Sequence, residues 1–107
     1  RDRISPEEFH QWLRAGRQVQ VLDARTKVEH EQGTIDGARH APVTGMPGAV
    51  ERQHLNQDKP VVILCSSGHR SRPGARWLRA RGYDAYSLRG GLQALKKAGY
   101  PVNKTEE

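Results

Sequence analysis

Apolar and polar positions along the chain follow helical and strand periods in turn. Ser5-Pro6-Glu7-Glu8 is typical of a helix start, with a serine N-cap, a proline at the first helical position and a glutamate that completes a capping box. Phe9, Trp12 and Leu13 follow on one face at helical spacing, and Gly16 ends the helix. We therefore expect Phe9 and Trp12 to pack in the core.

The most apolar run, Pro60 to Cys65, predicts a central strand. Its unbroken Val-Val-Ile-Leu composition is typical of a parallel strand that is buried on both faces. A helix is expected over Ser71 to Arg81, because Pro73 is accepted only in a first turn and Gly82 supplies a stop. The other expected elements are strands over 19–23, within 35–42 and over 84–88, helices over 26–32, within 49–55 and over 92–98, and a loop through much of 44–60.

This alternation of strands and helices predicts one α/β domain, residues 1–102, with a mainly parallel sheet and a disordered tail over 103–107. In such a sheet, ligands bind outside the carboxyl ends of the strands. Cys65 ends one predicted strand and Asp23 ends another. The two residues are therefore expected to lie at the same edge of the sheet.

The loop Cys65-Ser66-Ser67-Gly68-His69-Arg70-Ser71 places the only cysteine at a strand-to-helix switch. Backbone N–H groups of a tight loop and a first helical turn converge there, which favours an anion and lowers a cysteine pKa. Gly68 is expected to turn the backbone with φ > 0, and Arg70 to offer a planar fork to an oxyanion. The alternative for Cys65 is an inert thiol that ends a core strand.

The other polar side chains near this loop carry less specific signals. Ser66, Ser67 and Ser71 are expected to donate hydrogen bonds, because no histidine and acid are arranged to activate them as nucleophiles. His69 either donates to a substrate and shifts the thiol pKa or points into solvent.

Asp23 and Arg25 are interpreted either as a pair that fixes the loop from behind or as a plain strand-end salt bridge. Nothing in the sequence supports a catalytic base role for Asp23. The five histidines and one cysteine show no metal-ligand spacing, so no metal and no cofactor are predicted.

Composition and charge narrow the class of protein further. One cysteine allows no internal disulfide, which suits a reducing compartment. A net charge of +6 invites a nucleic-acid interpretation, but the arginines cluster around the loop and the following helix, and six aromatic residues (two Trp, three Tyr, one Phe) are too few for base stacking. A field that concentrates a small anionic substrate explains the charge better, so no nucleic-acid partner is expected.

Membrane and targeting signals do not appear within the chain as given. Its longest apolar run is far shorter than the roughly 20 residues that span a bilayer. We expect a cytoplasmic monomer without membrane contact. Because the chain begins at Arg1 without a methionine, the interpretation that it is a trimmed or processed form, with a signal or anchor removed, stays open.

The loop over 65–71 resembles the active-site loop of single-domain rhodaneses, sulfurtransferases whose cysteine carries a persulfide sulfur. The resemblance extends almost over the whole chain, and its further motifs are Leu22-Asp23-Ala24-Arg25, Gly33-Thr34-Ile35-Asp36-Gly37-Ala38, Gly82-Tyr83, Leu88-Arg89-Gly90-Gly91 and Gly99-Tyr100-Pro101-Val102. Ala24 and Thr34 replace the usual valine and histidine, which affects packing more than chemistry. Pro73 and Gly74 are unusual so early in the helix after the loop.

The resemblance implies a five-stranded sheet with helices on both faces and a thiosulfate-type sulfurtransferase. Cys65 would take a sulfane sulfur from a small anionic donor such as thiosulfate and pass it to cyanide, a thiol or a protein acceptor. Residues 66–71 would bind the substrate and the persulfide, with Asp23 and Arg25 behind them. A regulatory or sulfur-carrier module is the alternative.

Phosphatase or arsenate-reductase chemistry is the other rival. Phosphatases that share the rhodanese fold place five residues between cysteine and arginine, whereas four separate Cys65 from Arg70 here. In the family, the shorter loop goes with sulfur transfer and disfavours a tetrahedral phosphate.

Overall fold

The fold alternates short strands and helices over residues 1–42 and 48–103, which are the residues described by the computed structural model. The elements are β1 (Arg3–Ile4), α1 (Pro6–Arg14), β2 (Gln20–Asp23), α2 (Lys27–Gln32), β3 (Arg39–His40), α3 (Gly48–Glu51), β4 (Val61–Leu64), α4 (Ser71–Ala80), β5 (Ala85–Leu88) and α5 (Gly91–Lys97). The predicted α/β class is confirmed.

The strands form one parallel sheet in the order β1-β5-β4-β2-β3. Since β2 and β4 are neighbours, Asp23 pairs with Leu64, and the next residue of β4's chain is Cys65. Asp23 and Cys65 therefore lie at the same edge of the sheet, as predicted. The two-residue strand β1 was not predicted, because it is too short to show a period.

Side chains of β4 divide between two apolar clusters, one on each face of the sheet. Val61 and Ile63 pack on one face with Ala75 and Leu78 of α4. Val62 and Leu64 point to the other face, where α1 and α5 supply Phe9, Leu92 and Leu95. The predicted burial of β4 on both faces is confirmed, and the loop after it is thus held between helices of both layers.

Two predicted segments differ from the structure. The helix expected within 49–55 spans Gly48–Glu51 instead, and residues 44–47 of the predicted loop lie outside the described residues. Asn103 forms an antiparallel bridge with Thr34, so the predicted tail does not begin at this residue. Residues 104–107 lie outside the described part of the chain.

Among the described residues, no helix combines the length and the apolar character that crossing a membrane requires.

Val62→Ala tests the two-sided core against a chemically identical change at the surface. Val62 is fully buried, whereas Val28 on α2 is 62% exposed. We expect Val62→Ala to lower the free energy of unfolding by about 2 kcal/mol, and Val28→Ala to change it by less than about 0.5 kcal/mol. Urea unfolding measures both, and equal effects would contradict the assignment of Val62 to the core.

Candidate active site

Cys65 lies at the bottom of a tight loop between β4 and α4. Its side chain is fully buried, and Gly68 turns the loop with φ +97°. A Cβ on Gly68 would lie 3.0 Å from the amide nitrogen of Gly90, so this position combines a left-handed backbone with close packing. The predicted turn at Gly68 is confirmed. Helix α4 begins at Ser71, directly after the loop.

Hydrogen-bond donors from the loop converge on the sulfur of Cys65. Its Sγ accepts a hydrogen bond from the amide of Gly68 at 3.1 Å and lies 3.6 Å from Oγ of Ser71. Burial raises the pKa of the thiol, but the Ser71 hydroxyl and the amides of Ser71, Gly68 and Arg70 outweigh burial and leave the pKa below its ordinary value. The site therefore favours the nucleophilic thiolate.

Ser71 is itself held by a buried partner, Ser87 of β5. The two hydroxyl oxygens lie 2.6 Å apart, and both side chains are fully buried. When Ser71 donates to a Cys65 thiolate, its oxygen must accept from Ser87, so Ser87 fixes the direction of the Ser71 hydroxyl. Ser87 was not predicted from the sequence, in which a serine among the apolar residues of β5 is the only local signal.

The start of α5 holds the loop backbone from the opposite side. The amides of Leu92 and Gln93 donate to the carbonyl oxygens of Cys65 and Ser66, at 2.7 and 3.0 Å. Gly91 has φ +61°, and a Cβ there would lie 2.3 Å from the Cys65 carbonyl oxygen. Only glycine fits so close to the loop, which gives the Gly90-Gly91 turn a direct role in shaping the site.

Asp23 and Arg25 form a buried salt bridge at the end of β2. Asp23 accepts from Nε of Arg25 at 2.9 Å and from a terminal guanidinium nitrogen at 2.8 Å. Burial raises the pKa of the Asp23 carboxyl, but hydrogen bonds from Arg25 and His30 outweigh it and hold the pKa below its usual value.

This salt bridge fixes α2 rather than contacting the loop directly. His30 of α2 lies 2.9 Å from Asp23, and Arg25 donates to the carbonyl oxygen of Gly33 at the end of that helix. Within residues 1–42 and 48–103, neither Asp23 nor Arg25 makes a hydrogen bond to residues 65–71. The hydrogen bonds of the pair therefore hold α2, and the charge of the Asp23 carboxylate also helps to raise the pKa of Arg70 in the loop.

Glu29 of α2 binds Arg70, and this partner was not predicted. The guanidinium nitrogens of Arg70 donate to both carboxylate oxygens of Glu29, at 2.7 and 2.9 Å. The guanidinium of Arg70, which was expected to bind an oxyanion, thus binds a carboxylate of the chain itself. The only sequence signal at Glu29 is its place in the capping box of Thr26, which explains its helical position and not its contact with the loop.

The remaining loop side chains, Ser67 and His69, are exposed. His69 makes no side-chain hydrogen bond in the described part of the chain, which agrees with the interpretation that it points into solvent. No group of three His, Cys, Asp or Glu side chains that could hold a metal ion occurs among the described residues.

Comparison with known proteins identifies the class that this fold and loop define. The family model for the rhodanese-like domain matches residues 5–98, and the chain belongs to this family. A protein of Allochromatium vinosum described as a sulfurtransferase is 34% identical over 92% of this chain and 92% of its own length. The class that the fold and the loop define is therefore the rhodanese-like domain.

Several relatives are larger proteins, of which the chain spans only a part. The chain is 33% identical to a probable adenylyltransferase/sulfurtransferase MoeZ of Mycobacterium tuberculosis, over 92% of this chain and 25% of that protein. Among solved structures, a rhodanese-like domain protein from Staphylococcus aureus superposes with a TM-score of 0.82 at 26% identity, covering 99% of this chain and 100% of the other. A thiosulfate sulfurtransferase from Pseudomonas aeruginosa gives 0.83 at 26% identity, over 99% of this chain and 20% of that one.

Ser71→Ala removes the side-chain donor to the thiolate. Because that donor lowers the thiol pKa, we expect the variant to have a higher pKa and to react with iodoacetamide roughly threefold to tenfold more slowly at pH 7. Alkylation rates across pH measure both quantities. Ser67→Ala is the matched control, since Ser67 is exposed, and an equal slowing in both variants would contradict the role of Ser71.

Gly91→Ala tests the close contact between α5 and the loop. Gly16 also has a positive φ, +78°, but a Cβ there meets nothing within 4 Å. Both alanine variants should lose about 1–2 kcal/mol of stability from backbone strain, and Gly91→Ala about 1–3 kcal/mol more from overpacking. Denaturant unfolding measures the loss of stability, and the rate of Cys65 alkylation measures the effect on the loop. An alkylation rate in Gly91→Ala equal to that of the unchanged chain would refute the close contact between α5 and the loop.

Proposed function

We propose that the chain transfers a sulfane sulfur through a persulfide on Cys65. The observation that carries this proposal is the set of donors on Sγ, which stabilises a buried anion at the end of β4. The family match and the sulfurtransferase relatives support sulfur transfer in general. The donor and the persulfide intermediate are the proposed part.

In the first half-reaction the Cys65 thiolate attacks the outer sulfur of the donor. With thiosulfate, a new S–S bond forms to Cys65, the S–S bond of thiosulfate breaks, and sulfite leaves with the electron pair of that bond. A persulfide donor reacts in the same way and releases its thiolate. The product in both cases is Cys65 persulfide, whose negative charge lies on the outer sulfur, one bond from Sγ, and needs hydrogen-bond donors from the same loop.

In the second half-reaction a thiophilic acceptor attacks the outer sulfur of the persulfide. Cyanide would leave as thiocyanate, and a cellular or protein thiolate would leave as a persulfide, with the electron pair of the broken bond returning to Cys65. This double displacement regenerates the thiolate and predicts ping-pong kinetics. We place the reaction in the cytoplasm, because a lone free thiol suits a reducing compartment.

A sulfur-carrier role is the second candidate. The match to the Mycobacterium tuberculosis protein covers 25% of that protein's length, which is the arrangement expected if a rhodanese module passes sulfur to a specific protein partner. The loop chemistry is the same in both roles, and only the acceptor differs. Phosphatase chemistry is disfavoured, because only four residues lie between Cys65 and Arg70.

Incubation with thiosulfate followed by intact-mass measurement tests the proposal. We expect the mass to increase by one sulfur atom, and cyanide to reverse the increase with release of thiocyanate. Cys65→Ser should show no increase and no turnover, since the chain has no other cysteine. An unchanged mass with both thiosulfate and a low-molecular-weight persulfide, or full turnover by Cys65→Ser, would refute the assignment.

A further inference from the structure

The guanidinium of Arg70 is already occupied by an internal anion. Two of its nitrogens bind the two oxygens of Glu29 in parallel, and one of them also donates to Oγ of Ser66 at 3.1 Å. Ser66 in turn donates to Glu29 at 3.1 Å. The side chains of Glu29, Arg70 and Ser66 are thus all hydrogen-bonded to one another, and together they join α2 to the loop that carries Cys65.

The ion pair lies at the surface, where a ligand can replace it. The side chain of Arg70 is 43% exposed and that of Glu29 is 31% exposed. Exposed ion pairs contribute little net free energy, so an incoming oxyanion can displace Glu29 at a modest cost. A carboxylate buried like Asp23 could not be displaced so readily.

Protonation does not remove this competitor at any ordinary working pH. The hydrogen bond from Arg70 lowers the pKa of Glu29 most; burial raises it, hydrogen bonds from Thr26 and Ser66 lower it, and the pKa stays far below the usual carboxyl range. Glu29 therefore remains a carboxylate beside the loop, and it repels additional negative charge while it neutralises Arg70.

We propose that Glu29 is a specificity-determining residue that competes with anionic donors for Arg70. With Glu29 in place, an anion in the loop can bind the backbone amides, but the charge of the Arg70 guanidinium is already neutralised. Thiosulfate carries two negative charges, whereas cysteine persulfide, whose ammonium and carboxylate charges cancel, carries at most one net negative charge. The chain therefore favours persulfide donors over thiosulfate, an inference that rests on the proposed sulfur transfer.

Glu29→Gln separates charge from structure at this position. Glutamine at the third helical position also completes a capping box, so the start of α2 is preserved. Glu31→Gln is the matched control, because it removes the same charge from the same helix and Glu31 is not among the described partners of Arg70. Both variants are compared with the unchanged chain at a pH where Cys65 is fully ionised, so that a change in the thiol pKa does not enter.

Sulfur loading of Cys65 is measured with thiosulfate and with cysteine persulfide, with KM and kcat determined separately. In Glu29→Gln the KM for thiosulfate should fall about threefold to tenfold, whereas the KM for the persulfide should change by less than about twofold. The gain for thiosulfate should shrink at high salt, since a freed surface charge is screened. Glu31→Gln should behave like the unchanged chain.

A second measurement does not depend on sulfur transfer. Sulfate, a dianion that donates no sulfur, is tested for protection of Cys65 against iodoacetamide, and protection should require less sulfate in Glu29→Gln than in Glu31→Gln. An unchanged or higher KM for thiosulfate, equal shifts for both donors, or equal sulfate protection would overturn the role of Glu29. Stronger sulfate protection without any sulfur loading would refute the proposed sulfur transfer and leave the competition for Arg70 intact.

Discussion

The site depends on one balance, between the burial of the Cys65 sulfur and the hydrogen-bond donors aimed at it. Burial alone would favour the neutral thiol and an inert residue. The amide of Gly68 and the hydroxyl of Ser71 reverse this preference, because both are held at the sulfur by the loop and the first turn of α4. The same loop suits a persulfide, whose single negative charge lies on the outer sulfur, about 2 Å from Sγ.

The parallel sheet explains why this balance can be maintained in a small domain. Strands β2 and β4 end side by side, so that the support around Asp23 and the loop after Cys65 share one edge. Helix α5 then fixes the carbonyl groups of Cys65 and Ser66 through its first amides. The scaffold therefore orients the loop backbone from two sides and leaves the choice of ligand to the side chains at its rim.

Local sequence was sufficient to predict those parts of the site whose geometry is determined by one segment of the chain. Cys65, Gly68 and Ser71 lie in a single strand-loop-helix unit, and its turn and helix start follow from the residues themselves. Sequence reasoning failed where a contact joins distant segments. Glu29 lies 41 residues from Arg70, and Ser87 lies 16 residues from Ser71. Neither pairing leaves a periodic or spacing signal, and the bridge from Thr34 to Asn103 was missed for the same reason.

The balance between burial and hydrogen-bond donors at Sγ is tested most directly by a pH titration of the single cysteine. The ultraviolet absorbance of its thiolate is followed as a function of pH, with Cys65→Ser as the blank. Because donors outweigh burial at Sγ, the absorbance step should occur at a pH below that of the same step in the chain unfolded in urea, where the thiol has its ordinary pKa. A step at or above that pH would show that burial dominates and would contradict a thiolate poised for sulfur transfer.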